Sequence, residues 1–433
     1  MSRSAAVVLL AGALACAESP LVTAPRSTPG IRPAVLALAA DPTESEALAI
    51  SRQIQERHWP YHTLLNPRYG SGDPASPDYE TVIGYTQAAD NAIWTGHYLA
   101  AESFRHAVTA SPEALENARK ALDGLAALVE VTGTDVLARF LIPSSSPYVA
   151  GILAEEQRHE SYTTTYEGQA YTWLGNTSRD QYSGVFFGLG VAYDLIEDPA
   201  MRRQIRVTVR RLLDFLLRNG WNVRMPNGSI STTFLQRPDQ QLSLLQVGRR
   251  VNPRRYGAVY RAHRSSLAGA VSLPIAFECF DPHGSYFKFN LDHINLYNLI
   301  RLEEPGIHRA LYIRAFDRLR GCTASHGNAH FDMIEHGLEG PEATRDAATR
   351  EMLGLWLERP RRDYFVDNSE SYAACGPNRS CTPIAVDERF TTDFLWQRSP
   401  FQLSGGGDGT IPTPGVDYIL PYWMARYYGV ITN

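Results

Sequence analysis

The chain is 433 residues long and carries 41 lysines and arginines against 46 aspartates and glutamates, a formal net charge of −5 and a sequence pI near 6.2. That balance excludes the basic footprint of a nucleic-acid-binding protein, and a composition 44% hydrophobic and 20% charged is that of a chain able to bury a core. Lys120 and Lys288 are the only lysines, so the arginine clusters at 202–211, 249–255 and 359–362 reflect a general preference for arginine and read as solvated faces.

Residues 1–16 read as an export signal: Arg3, an apolar run over 5–15, then Cys16. Ala13-Leu14-Ala15-Cys16 is similar to a bacterial lipoprotein cleavage site, in which Cys16 would carry the lipid, and the same Ala-x-Ala suits ordinary signal cleavage. Residues 17–42, rich in Ala, Pro, Ser and Thr, read as a disordered tether, and 43–433 as a single domain without a linker. No other segment has the makings of a membrane span, so membrane contact is expected only through a lipid on Cys16. The expected location is outside the cytoplasm: periplasmic, on the cell surface as a lipoprotein, or secreted. With Cys16 set aside, the remaining cysteines are expected to pair as Cys279–Cys322 and Cys375–Cys381, the alternative being free buried thiols.

A lone helix is predicted over 43–58. A helix over 90–109 is followed, after Ser111-Pro112-Glu113, by a second that reaches Gly133, with an N-cap, a proline in the first turn and a closing glycine in order. The grammar recurs at 180–197, where Asp198-Pro199 opens a partner ending at Gly220. Further pairs are predicted at 238–246 with 258–280, 289–303 with 306–321, and 326–337 with 341–358, before a last lone helix at 416–428.

Second members carry one apolar stripe, such as Met201, Ile205, Leu212 and Leu216 opposite Arg202, Arg206, Arg210 and Arg218. First members, such as Trp94-Thr-Gly-His-Tyr-Leu and Tyr182-Ser-Gly-Val-Phe-Phe, are apolar or small nearly all round, as helices buried on several sides must be. Pairing the two lone helices closes a ring, so the predicted fold is all-α, an (α/α)6 toroid of about twelve helices.

Connections within pairs are short, whereas those at 134–178, 221–237 and 359–415 are long, which gathers the long loops on the rim where inner helices begin. Polar residues at those starts become candidates. Asp180 comes first, as the group exchanging a proton with a bound ligand, and Asp90, Tyr182, His97 and His330 join it as catalytic candidates. Both aspartates also suit N-caps. Trp94, Arg179, Trp173, His326, Asn328, Trp396 and Arg398 are candidates for substrate binding, the aromatics because sugars stack their C–H faces on rings. His326 and His330, four apart, would share a helix face, yet the spacing lacks the glutamate of a His-Glu-x-x-His site, and no metal is expected. Gly405-Gly-Gly-Asp-Gly has no strand, lysine and helix around it and reads as a loop, so no cofactor is expected either.

Alternating helices behind an export signal, with Trp94-Thr-Gly and Tyr182-Ser-Gly at inner-helix starts, resemble the six-hairpin glycosidase-like superfamily of inverting glycoside hydrolases, unsaturated-uronyl hydrolases and toroidal polysaccharide lyases. The resemblance covers roughly 43–430 and is architectural. It implies catalytic aspartates near inner-helix starts, where Asp90 and Asp180 stand. Three readings follow. The first is an exported hydrolase of a glycosidic bond in an oligo- or polysaccharide, with Asp180 as general acid and Asp90 or a loop carboxylate as base. The second is a polysaccharide lyase or uronate epimerase, in which Tyr182 with His97 or His330 handles the C5 proton and Arg179 or Arg398 neutralises the substrate carboxylate. The third is a surface glycan-binding or scaffold protein without catalysis.

Overall fold

The computed structural model describes residues 42–432; the expectations for the export signal, for Cys16 and for the tether up to residue 41 concern residues outside that range. The described chain is mainly helical. Its helices are α1 Glu44–Arg57, α2 Asn91–Thr109, α3 Pro112–Glu130, α4 Val149–Glu155, α5 Arg179–Leu195, α6 Pro199–Arg218 and α7 Pro238–Val251, followed by α8 Pro253–Leu267, α9 Ser272–Glu278, α10 Tyr286–Arg301, α11 Ile307–Gly321, α12 Ala329–Glu339, α13 Ala343–Glu358 and α14 Val416–Tyr427. None of these is long and apolar enough to cross a membrane.

The caps lie where sequence grammar puts them: Ser111 Oγ accepts from the Ala114 N–H and Asp198 Oδ1 from Met201, each followed by a proline in the first turn. The same device at Asn252-Pro253 opens α8 and corrects the expected helix at 258–280. That stretch begins earlier, stops at Leu267 and, after a 3-10 turn at Ala268–Ala270, resumes as α9. Gly269 weakens helix propensity there, and Pro274 has no N–H to continue the ladder. A second correction concerns α12, which starts at Ala329. Gly327 takes a φ of +64°, Asn328 caps the Phe331 N–H at 3.1 Å, and His326 is left on the preceding 3-10 turn, so it shares no helix face with His330.

The long connections are not plain loops. They hold β1 Asn66–Tyr69, β2 Val82–Thr86, β3 Phe140–Pro143, β4 Ser161–Tyr166, β5 Gln169–Leu174, β6 Asn222–Arg224, β7 Ile230–Thr233, β8 Arg362–Asp367, β9 Ala374–Gly376, β10 Arg379–Ser380 and β11 Ser404–Pro412. All pair antiparallel: β1 with β2, β6 with β7, β8 with β11, β9 with β10, and a three-stranded sheet of order β3-β5-β4. The all-α expectation is thus corrected to mainly α with small sheets. The signal was present, since Ser161-Tyr-Thr-Thr-Thr-Tyr alternates outward and inward and Glu167-Gly168 turns the hairpin with φ of +50° and +78°.

Along α6, Met201, Ile205, Leu212 and Leu216 are buried while Arg206 and Arg210 are exposed; on α2, every residue from Asn91 to Arg105 is buried. Among these buried helices α2 packs against α5, α5 against α7, α7 against α10, α10 against α12, α12 against α14, and α14 against α2. The helices α3, α6, α8, α11, α13 and α1 lie against α2, α5, α7, α10, α12 and α14 in turn, with Arg426 paired to Glu44 at 2.8 Å between α14 and α1.

The α2–α5 contact is backbone on backbone. A Cβ added at Gly96 would stand 2.2 Å from the Gly184 carbonyl oxygen, and one at Gly188 2.2 Å from that of Gly96. Gly96→Ala should therefore force the two helices apart and lower stability by about 3 kcal/mol, read as a shifted urea midpoint. An unchanged midpoint would show that the helices slide apart freely.

Cys279 is bonded to Cys322 and Cys375 to Cys381, with Cα atoms 5.9 and 4.8 Å apart. The first bridge ties the end of α9 to the end of α11. Titration of the denatured, unreduced protein should find no free thiol at these four positions, and any thiol mapped to them by mass spectrometry would refute the pairing.

Candidate active site

Asp90 closes a 3-10 turn, Ala88–Asp90, that leads into α2, and its carboxylate makes no capping bond. Instead Asp90 Oδ1 accepts from Gln181 Nε2 at 3.1 Å, while Gln181 Oε1 accepts from the Ile93 N–H at 2.9 Å, so one side chain from α5 clamps Asp90 to the start of α2. Arg139 fixes the other side. Its guanidinium donates to the carbonyls of Ala89 and Asn176 at 2.7 and 3.0 Å and to Ser178 Oγ, and lies 3.8 Å from Asp90 Oδ1. Asp180, in the first turn of α5, takes the Ser178 hydroxyl and the Gln181 N–H on Oδ1, and no hydrogen bond from the described residues engages Oδ2.

The third carboxylate of the site comes from the last long connection. Asp393 is buried, accepting from Trp94 Nε1 at 2.9 Å on Oδ2 and from Thr392 Oγ1 at 2.7 Å and Arg398 Nη2 at 3.3 Å on Oδ1. Arg398 itself is half exposed. Thr392, Asp393 and Arg398, together with Asn66, Gln87 and Asp363, line a recess of about 180 Å³, walled by β8, β11 and the segment between them.

The environments of two of these carboxyls are driven apart. Burial, and then the charges of Asp180 and Asp393, raise the Asp90 pKa to about 7 against the opposing pull of Arg139 and Arg398. At Asp393 burial also pushes upward, but the Arg398 charge and the hydrogen bonds from Thr392 and Trp94 overcome it and hold the group below the usual carboxylate range. Asp90 keeps 36% of its side-chain area open, enough for a ligand to reach it. His159 lies beside this group. Burial, then Arg139 and Arg158, lower its pKa to about 4 against the pull of Asp180.

The structure thus brings together Asp90, Asp180, Trp94 and Arg398 from the sequence candidates and adds Asp393, Arg139, Gln181 and His159. Asp393 was missed, although it stands directly before Phe394, three residues before Trp396 and five before Arg398, in the loop whose aromatics drew attention. Nothing local distinguishes its carboxylate from the others of that loop.

The remaining candidates are elsewhere. His97 and His330 lie behind the recess, their ring centroids 5.9 Å apart and both against Phe394, which stacks on Trp94 at 4.7 Å. Tyr182 is fully buried, its hydroxyl accepting from the Leu137 N–H at 3.2 Å, so it holds the segment ahead of β3 and reaches no open surface. Arg179 turns to the Thr233 carbonyl at 2.8 Å. Trp173 is buried with one face stacked on Tyr162 at 4.4 Å, and Trp396 is buried with its indole N–H on the Asp417 carbonyl, so neither offers a ring face to a ligand. His326 is bonded to the Tyr286 hydroxyl, and Asn328 spends its oxygen on the α12 cap and its amide on the Trp396 carbonyl at 2.9 Å. Among the described residues no group of three His, Cys, Asp or Glu could hold a metal ion. Comparison with protein-family models, with curated proteins and with solved structures found no match.

Proposed function

We propose that the protein is an exported carbohydrate-active enzyme that hydrolyses a glycosidic bond in an oligo- or polysaccharide by general acid/base catalysis, on an (α/α)6 toroid. The cyclic order of packing among α2, α5, α7, α10, α12 and α14 supports the toroid. The disulfides support export to an oxidising compartment.

The observation that carries the activity is the pair of carboxyls with opposed titration, since a site that must both give and take a proton near neutral pH sets its acid and its anion by their surroundings. Asp90, protonated up to about pH 7, is the acid that protonates the leaving oxygen. The Asp180 carboxylate, with Oδ2 open, is the base that takes a proton from water. Asp393 keeps a fixed negative charge that sustains the Asp90 proton and stabilises positive charge developing on the sugar ring. Relative to the sequence-based assignment, Asp90 and Asp180 exchange roles.

The test is incubation of the purified protein with a panel of polysaccharides, reading reducing ends and the ultraviolet absorbance of unsaturated products together. New reducing ends without absorbance are expected. Both signals together would replace hydrolysis by a lyase, with Arg398 at the recess as the group facing a substrate carboxylate. Binding to glycans with neither signal would leave a non-catalytic glycan-binding protein.

A further inference from the structure

Behind the wall formed by Trp94 and Phe394 stands a set of hydrogen-bonding groups that no protein atom satisfies. His97 on α2, His293 on α10 and His330 on α12 are fully buried. His97 and His293 each direct Nδ1 at the carbonyl four residues back, that of Ile93 at 2.8 Å and that of Phe289 at 2.7 Å. Nδ1 therefore carries the proton, and Nε2 is left as a bare acceptor. Neither Nε2 has a protein partner, and His330 has none at either nitrogen. Asn290, one turn before His293 and fully buried, has none at Oδ1 or Nδ2. The histidines are close: His97 and His330 are 5.9 Å apart between centroids, and His293, one turn from Asn290 on α10, stacks at 3.7 Å on Phe331, the residue after His330.

Native interiors satisfy nearly all their buried polar atoms with protein or water, and so many left bare would offset a large share of a domain's net stability. What would satisfy them is defined by their chemistry. The three histidines are neutral, each held far from protonation by burial, and among the described residues no carboxylate joins them in a group that could hold a metal ion, so a cation finds no counter-charge here. Bare imidazole acceptors beside an amide that both gives and accepts suit a guest that does both, which is a hydroxyl group.

We propose that α2, α10 and α12 enclose a chamber behind Phe394 that binds neutral hydroxyl groups, either ordered water or the hydroxyls of a small sugar, through Asn290, His293, His330 and His97. The chamber does not depend on the hydrolase reading, because its test reads stability. Asn290→Leu and His330→Leu keep the volume nearly constant and remove the polar groups. If guests occupy the chamber, each change strips them of partners and should lower the melting temperature by roughly 2–8 °C. If the polar atoms are bare, the apolar replacements relieve them, and an unchanged or raised melting temperature would overturn the proposal. Should a variant fail to fold, a high-resolution crystal structure of the wild-type protein decides: density within hydrogen-bond reach of Asn290 and His330 supports the chamber, and a dry gap overturns it. Melting the wild-type protein with a panel of monosaccharides separates the sources. A rise that Asn290→Leu abolishes identifies a sugar, and lowered variant stability without any such rise identifies water.

Discussion

Asp90→Asn should lower turnover on a cleaved polysaccharide by about a hundredfold to ten-thousandfold, the usual contribution of a positioned proton donor. Asparagine keeps the acceptor that Gln181 uses and removes only the proton, so the loss belongs to chemistry and not to folding. Stability should hold or rise. With its pKa raised to about 7, folded Asp90 retains a proton that the unfolded chain has already lost, so its contribution to stability falls as pH rises from the usual carboxyl value towards 7. Asparagine removes that penalty at neutral pH. In the wild-type protein any such rate should decline as pH rises through about 7, where Asp90 loses its proton. Near-wild-type turnover in Asp90→Asn, or a rate flat from pH 6 to 9, would remove Asp90 as the acid. Asp180→Asn should cost at least about a hundredfold by the same argument for the base.

The second large effect is on acid stability. The His58 and His97 side chains are fully buried, and burial lowers both pKa values from 6.5 to about 4; burial also drives His293 and His330 well below 6.5. A histidine lowered in this way binds its proton more readily in the unfolded chain. Its contribution is complete above 6.5 and is lost as pH falls towards 4. The gap corresponds to about 3 kcal/mol for each of His58 and His97, together a large share of the net stability typical of a domain. Asp90 and Asp332, raised to about 7 and about 6, act in the opposite direction by a comparable amount, so the net slope is left to the other lowered histidines, His159, His293, His326 and His330. The melting temperature should drop steeply between pH 6.5 and 4.5, and His97→Leu should flatten that slope by about one proton. A melting temperature constant across this window would show that the histidines are hydrated and not buried as described.

What the sequence determined by itself is the helical periodicity, the caps and the partition into wrapped and amphipathic helices, because these rest on neighbours within a few residues. Ser111-Pro112 and Asp198-Pro199 close their own capping bonds, and the arginine stripe of α6 follows from a period of 3.6. Asp90 and Asp180 were legible for the same reason, as polar residues at the starts of otherwise apolar helices. The breaks at Gly269 and Gly327 and the Tyr-Thr hairpin were also written locally but were outweighed by longer apolar patterns. Tertiary structure alone decided the rest. Which loop carboxylate meets Trp94 depends on an approach across 299 positions of chain, and that approach helps to hold the Asp393 carboxyl low and adds its charge to the burial and the Asp180 charge that raise Asp90. The same long-range packing covered Trp173, Trp396 and Tyr182, whose residue types suggested ligand contact, because a ring can stack on a sugar only if no neighbour has already taken its face.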